Sequence, residues 1–324
     1  PRIANRLITY VNNVKDMAAI DASGDSSKLT HIGEEVVDAF VDAVFKQSIF
    51  KEKVGSLRVV YTPLHGAGNK PVRKILARAG FNDVHVVKEQ ELPDGNFSTV
   101  KSPNPEEHSA LALGLQLAQK IDADIVVGTD PDSDRIGVGV RHGDSYQLLT
   151  GNQMGALLVN FVLSMKKETL DETSTLIKTV VTGDLGADIA RSFGVKVVEV
   201  LTGFKYIGEK ITQYKSDPAH NFIMGYEESY GYLVGDHAQD KDAVVAALLI
   251  CEMTWYYKSQ GKTLVDILNK LYEKYGYYYD ALDSYTLKGI EGSRKIKEIM
   301  NLLRNGNVSF IKEDYTKIDR TTRK

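Results

Sequence analysis

Cys251 is the only cysteine in the 324-residue chain, so an internal disulfide is excluded. Its thiol sits in the apolar run AVVAALLICEM and reads as a small core hydrophobe on a buried helix. Long apolar runs are lacking as well. No segment approaches the roughly 20 residues that cross a bilayer, and no stretch has the pattern of a secretory signal. Excess charge of either sign is also missing. The formal net charge is −3, so no global field draws in nucleic acid or an anionic membrane. These absences predict a cytoplasmic globular protein with neither nucleic acid nor membrane among its partners. A local basic site is still allowed.

What is present is ordinary in bulk. Apolar residues make up 43% and charged residues 26%, as in globular chains generally, and the length suits about two average domains or three small ones. Periodicity predicts helices over residues 1–50, with a polar break at DASGDSSKLT. From there strand and helix alternate. LRVVYTPL (57–64), VHVVKE (84–89) and DIVVGTD (124–130) read as strands, with helices over KPVRKILARAG and PEEHSALALGLQLAQKI between them. RIGVGV and YQLLT read as a hairpin around HGDS. After Gly151 the rhythm restarts. NQMGALLVNFVLSM, LGADIARSFG and FKYIGEKITQY read as helices, and TLIKTVVTGD (175–184), KVVEVLTG (196–203) and NFIMGYEES (221–229) as strands. A long helix, DKDAVVAALLICEMTWYYKSQG, closes at Gly261. The alternation predicts an α/β protein with two consecutive sandwich domains built on mixed, mostly parallel sheets. Beyond residue 280, YTLKGIEGSRKIKEIMNLLR reads as a strand and helix opening another unit. The start, PRIANRLITYVNNV, reads as a helix already under way, and the end, KEDYTKIDRTTRK, as a polar tail. Both suggest a piece of a longer polypeptide.

Open α/β sheets place their sites at the carboxyl ends of the strands. Here those ends read TPLHGAGN, DPDSDR, TGDLG, TGFKYIG and EESYG, nearly all polar and glycine-bearing. In GTDPDSDRIGVG, Asp130, Asp132 and Asp134 alternate on one short loop, and Arg135 follows. Carboxylates so close repel one another unless a cation sits among them. Hard oxygen donors without His or Cys favour Mg²⁺ or Ca²⁺ over zinc. An EF-hand loop starting at Asp130 needs Gly at its sixth position and Glu at its twelfth. Arg135 and Arg141 stand there, which excludes it. A haloacid dehalogenase-type Asp-x-Asp loop wants Thr or Val where Asp134 stands. The bland alternative is a solvated acidic turn.

Other loops carry weaker signals. GYEESYG sets Glu227, Glu228 and Ser229 after a buried strand, where they suit sugar hydroxyls or make a charged turn. Lys241, near the start of the long helix, suits an anion beside the free N–H groups of that terminus, or is simply solvated. In TGFKYIG, Gly203 suits a tight turn with Lys205 beside it. His65 and His237 read as structural loop residues.

Together, TPLHGAG, GTDPDSDRIGVG, LTGFKYIG, GYEESYGYLVGDHAQDKDAV and KGIEGSRKIKEIMNLLR resemble the α-D-phosphohexomutase superfamily, specifically its bacterial phosphoglucomutase/phosphomannomutase branch. The resemblance runs in order over nearly the whole chain. It implies four domains around one cleft and a phosphoserine that exchanges its phosphoryl group with a hexose phosphate through a bisphosphate intermediate. It further implies Asp130, Asp132 and Asp134 as Mg²⁺ ligands and Arg135 beside the transferring phosphate. Glu227 and Ser229 would meet sugar hydroxyls, with Glu228 less directly implied. Gly203 and Phe204 would belong to the sugar-orienting loop, and Lys241 would meet substrate phosphate or a hydroxyl. The TGFKYIG loop leans towards glucose over mannose.

Two family strings do not occur: the serine loop, roughly Thr-Ala-Ser-His-Asn-Pro, and the phosphate loop, roughly Arg-Pro-Ser-Gly-Thr-Glu-Pro. Ser23, Ser26 and Ser27 lack that context. The resemblance therefore divides the chain into the helical end of domain I (1–50), the metal-binding domain II (51–150), the sugar-binding domain III (151–280) and the start of domain IV (281–324). Its partners would be a hexose phosphate and the missing parts of domains I and IV of the same polypeptide. Without them the chain is expected to be inactive. The alternative is a non-catalytic sugar-phosphate-binding or regulatory protein that kept the metal and sugar loops.

Overall fold

The computed structural model describes residues 2–20, 23–52, 54–282 and 284–305. The chain divides into two compact units, Pro1–Ala39 and Phe40–Lys324. In the first, α1 (Arg2–Asn13) leaves Ile3, Leu7, Tyr10 and Val11 exposed. Short 3-10 turns follow at Met17–Ala19 and Ser26–Lys28, opened by Asp16 and Asp25, whose side chains accept from Ala18 N and Ser27 N. Such local bonds are why Asp and Ser interrupt helices, and they account for the polar break, of which residues 21 and 22 lie outside the described residues. The helix α2 (Glu34–Phe45) then leads into the second unit.

The second unit holds two sheets. The first contains β1 (Arg58–Thr62), β2 (Asp83–Val86), β3 (Ile125–Thr129), β4 (Ile136–His142) and β5 (Ser145–Leu149), in the order β2-β1-β3-β4-β5. β1 pairs in parallel with β2 and β3, and β3–β4 and β4–β5 are antiparallel. The second contains β6 (Ser174–Thr179), β7 (Lys196–Val200), β8 (Asn221–Glu227) and β9 (Gly231–Val234), in the order β7-β6-β8-β9, parallel except for β8–β9. Both are mixed sheets flanked by helices. β3 is buried along its whole length, which is why it reads as an unbroken apolar run.

Helices cover these sheets as their apolar faces dictate. On the first sheet, α4 (Ala112–Ile121) lies against β1 and β3, with Val60, Val87, Ala118, Ala123 and Val126 forming a buried cluster. α3 (Asn69–Arg78) packs on α8 (Ala243–Lys258). α8 touches β3 and β4 of one sheet and β9 of the other, so it is apolar nearly all round and Cys251 is fully buried. Each Leu, Ile or Val fully buried there contributes about 1.5–3 kcal/mol. On the second sheet, Tyr226 lies against Gly155 of α5 (Gly151–Met165) and Gly186 of α6 (Leu185–Ser192). Its neighbour Gly225 faces Ile207 of α7 (Phe204–Tyr214). Strand alternation therefore puts α5 and α6 on one face and α7 on the other. A further helix, α9 (Leu264–Tyr275), opens with a Thr263–Asp266 capping box.

Several elements differ from the sequence expectation. The helix over 105–121 begins late, as a 3-10 turn at His108–Leu111 running into α4, because Asn104 O and Oδ1 take the N–H groups of Glu107 and Glu106 in a turn. The strand expected at 84–89 stops at Val86 and turns into a 3-10 segment, Lys88–Gln90. β9 and α9 are additional. Beyond residue 280 the helix forms, as α10 (Gly289–Arg304), but the described residues between 280 and 289 hold no strand. The expected polar tail at 312–324 lies outside the described residues. No described helix is long and apolar enough to cross a membrane.

Candidate functional site

The loop after β3 folds on its own first aspartate. Asp130 Oδ1 accepts the N–H groups of Asp134 at 3.0 Å and Arg135 at 2.9 Å, and Asp130 O accepts from Ser133 N. Ser133 turns the chain with φ +59°. This winding brings one carboxylate oxygen each from Asp130, Asp132 and Asp134 within 4.8 Å of one another. Asp130 is 9% exposed. Burial, and then the neighbouring Asp134 and Asp132, push its pKa up to about 7 against the backbone bond from Arg135 that lowers it. A proton or a cation therefore relieves the same repulsion. The donor set fits a hard divalent cation: three carboxylates, with Asp130 Oδ2 left over after Oδ1 is committed to the backbone.

The loop after β1 braces this turn from beside it. Ala67 N donates to Pro131 O at 2.8 Å, and a Cβ on Gly66 would sit 2.4 Å from Pro131 Cα, so only glycine lets the two backbones approach. His65 serves that brace. Its ring nitrogens bond Leu92 O and Thr99 Oγ1, each at 2.8 Å, and it is 7% exposed, as a structural histidine should be.

The second sheet delivers its side chains to the same place. Arg135 bridges to Gly231 of β9, and Ile136 N donates to Tyr230 O. Lys241 Nζ lies 2.7 Å from Asp134 Oδ2, with its side chain 12% exposed, so it is not a solvated lysine. Its ammonium also stands 5.8 Å from the Phe204 ring centroid. Glu227, at the end of β8, is 5% exposed and accepts Gly203 N on Oε1 at 3.0 Å. Burial raises its pKa. Gly203 holds φ +118°, a conformation side chains resist, and starts α7. Phe204 is buried at 3% exposure, so it supports the site from beneath. Glu228 Oε2 is held by Thr182 Oγ1 at 3.0 Å and Thr179 Oγ1 at 3.3 Å. Ser229 lies in the turn between β8 and β9, half-buried.

One expectation is corrected. The first two N–H groups of α8 are not free beside Lys241. Ala243 N donates to Ser133 O at 3.0 Å and Val244 N to Asp242 Oδ1 at 2.8 Å, so the protein itself caps that terminus. His237 is structural too, bonded to Asp242 Oδ2 at 2.8 Å. Sequence reading also missed Glu106, whose Oε1 accepts from Arg135 Nη1 at 2.9 Å. Nothing in PNPEE marks it out.

A family profile described as phosphoglucomutase/phosphomannomutase, alpha/beta/alpha domain II, matches residues 38–143, and the domain III profile matches 150–275. The chain belongs to the phosphoglucomutase/phosphomannomutase family. Within this family it is 37% identical over 300 residues to a phosphoglucomutase of Staphylococcus aureus (strain N315), covering 91% of the chain and 53% of that protein. To a Staphylococcus saprophyticus phosphoglucomutase it is 34% identical over 325 residues, covering 96% and 57%. The chain thus spans about half the length of the curated relatives it matches. Among solved structures, a phosphoglucomutase/phosphomannomutase family protein from Burkholderia thailandensis aligns with TM-score 0.57 at 19% identity, covering 73% of this chain and 46% of that one. The open form of pp63/parafusin, a Paramecium phosphoglucomutase, aligns with TM-score 0.53 at 16% identity, covering 84% and 45%. These two likenesses are of fold.

Proposed function

We propose that this chain is the central part of a phosphohexomutase, the part that holds the metal and reads the sugar. The observation that carries the reading is the convergence of Asp130, Asp132 and Asp134 from one sheet with Lys241 and Glu227 from the other. Residues 1–50 would end a first domain, 51–150 form the metal-binding second, 151–280 the sugar-binding third, and 281–324 begin a fourth. Exposed apolar residues on α1 and α10, among them Leu7, Val11, Ile296 and Ile299, support cover by further chain.

Asp130, Asp132 and Asp134 would hold Mg²⁺, which when bound supplies Lewis-acid stabilisation of a phosphoryl oxygen. The remaining roles fall to side chains. Arg135, anchored through its backbone to Asp130 and Gly231, presents a guanidinium for a phosphate. Lys241 offers a compact charge for a phosphate or hydroxyl oxygen. Glu227 has Oε2 available for a sugar hydroxyl, and Ser229 adds a hydroxyl from the adjoining turn. Gly203 fixes Glu227 through its N–H, and Phe204 underlies Lys241. In-line phosphoryl transfer between hexose 1-phosphate and 6-phosphate depends on positioning and charge. The serine-loop string that would carry the phosphoryl group does not occur in this chain. Glucose 1-phosphate is the substrate to test first, with mannose 1-phosphate beside it. The longer parent polypeptide is expected to convert glucose 1-phosphate to the 6-phosphate, and the purified chain is expected to show no turnover above background. Turnover by the chain near the parent's rate would contradict this division of labour.

A further inference from the structure

We propose that Glu106 is a positioning residue for Arg135, holding its guanidinium off the carboxylates that would take the cation. The inference rests on the metal reading above. Glu106 stands in the loop ahead of α4, fixed by its N–H to Asn104 Oδ1 at 3.0 Å. Its Oε1 accepts from Arg135 Nη1 at 2.9 Å, with the two side chains 24% and 35% exposed. The same guanidinium faces the metal loop. Nε is 4.0 Å from Asp130 Oδ2 and 3.8 Å from Asp134 Oδ1. Those separations are beyond hydrogen-bond reach, yet close enough for strong Coulomb attraction.

Arg135 cannot back away as a whole. Its N–H is bonded to Asp130 Oδ1 and its backbone is bridged to Gly231. Only the side chain is free to choose a partner, and Glu106 commits one arm of the fork to the α4 side. Without Glu106, the guanidinium needs a shift of about 1 Å to pair with Asp130 or Asp134 at ordinary charge-assisted distance. It would then occupy the oxygens a cation needs. Glu106 would thus keep Arg135 available for a phosphate instead of for that loop.

Mg²⁺ titration by calorimetry, on the full chain, tests this with Glu106→Gln and Glu106→Asp, each alone and combined with Arg135→Gln. Both single changes are expected to weaken Mg²⁺ binding about three- to tenfold, and neither to matter once Arg135 is glutamine. Aspartate keeps the charge but is one methylene too short, so it separates reach from field. Wild-type affinity in Glu106→Asp, or a loss in Glu106→Gln that persists beside Arg135→Gln, would overturn the proposal. The Arg135 Nε–Hε resonance reads the same contact with no metal added. It is expected to move in both Glu106 variants, and an unmoved resonance also overturns the proposal. A wild-type chain that binds no Mg²⁺ would sink the metal reading, and the resonance would still decide the positioning role.

Discussion

Asp130→Asn is expected to weaken Mg²⁺ binding about a hundredfold or more, measured by calorimetry, while leaving the fold intact. The expectation follows from how Asp130 divides its two oxygens. Oδ1 accepts from the N–H groups of Asp134 and Arg135 and winds the loop. An asparagine Oδ1 can accept both bonds, so the turn that gathers Asp132 and Asp134 persists. The second oxygen becomes an NH₂ group, which donates and cannot ligate. The substitution also removes one of three mutually repelling carboxylates, and the most buried of them. Thermal stability without metal is therefore expected to hold or rise, so lost affinity cannot be blamed on unfolding. Unchanged affinity in Asp130→Asn would return the loop to a solvated acidic turn.

Lys178→Ala is expected to cost about 3–5 kcal/mol in urea unfolding. Lys178 lies in the middle of the second sheet with its side chain 1% exposed. Its ammonium donates to Thr182 O at 2.7 Å and pairs with Asp184 Oδ1 at 2.9 Å and Glu199 Oε1 at 3.3 Å. Asp184 is 58% exposed and can turn to water, but the Glu199 side chain is only 15% exposed and would lose a charged partner. Truncation also opens space in a close-packed interior. The damage should reach the site, because Lys178 pins the turn after β6 at Thr182 O. Thr182 Oγ1 and Thr179 Oγ1 hold Glu228. A loss below about 1 kcal/mol would mean that water replaces the ammonium without penalty.

How much of this was legible in the sequence depends on the range of the interaction. The convergence of the three aspartates was legible because it is local: alternate carboxylates within five residues are drawn together by bonds to Asp130 itself. The strands were legible where both faces are covered, as in β3 and β6. β9 was not, since GYLV is only four residues long and follows a tight turn at Tyr230, φ +66°. α9 did carry a readable signal, the Thr-x-x-Asp capping box. The pairing of Lys241 with Asp134 spans more than a hundred positions and depends on how α8 packs against both sheets, so residue spacing alone could not give it. Lys241 and Glu227 were singled out from the loops that hold them, and the resemblance supplied the roles expected of them. Glu106 was invisible to both, because an arginine's partner is set by where a loop folds back and not by any pattern around the glutamate.

The central claim is that Asp130, Asp132 and Asp134 form a divalent-cation site facing Glu227 and Lys241. Crystals of the chain soaked in Mn²⁺ as a stand-in for Mg²⁺, with anomalous diffraction measured, test it most directly. The account predicts one dominant anomalous peak about 2.1–2.3 Å from a carboxylate oxygen of each aspartate. A peak that settles elsewhere, with these three carboxylates left without metal, would contradict it.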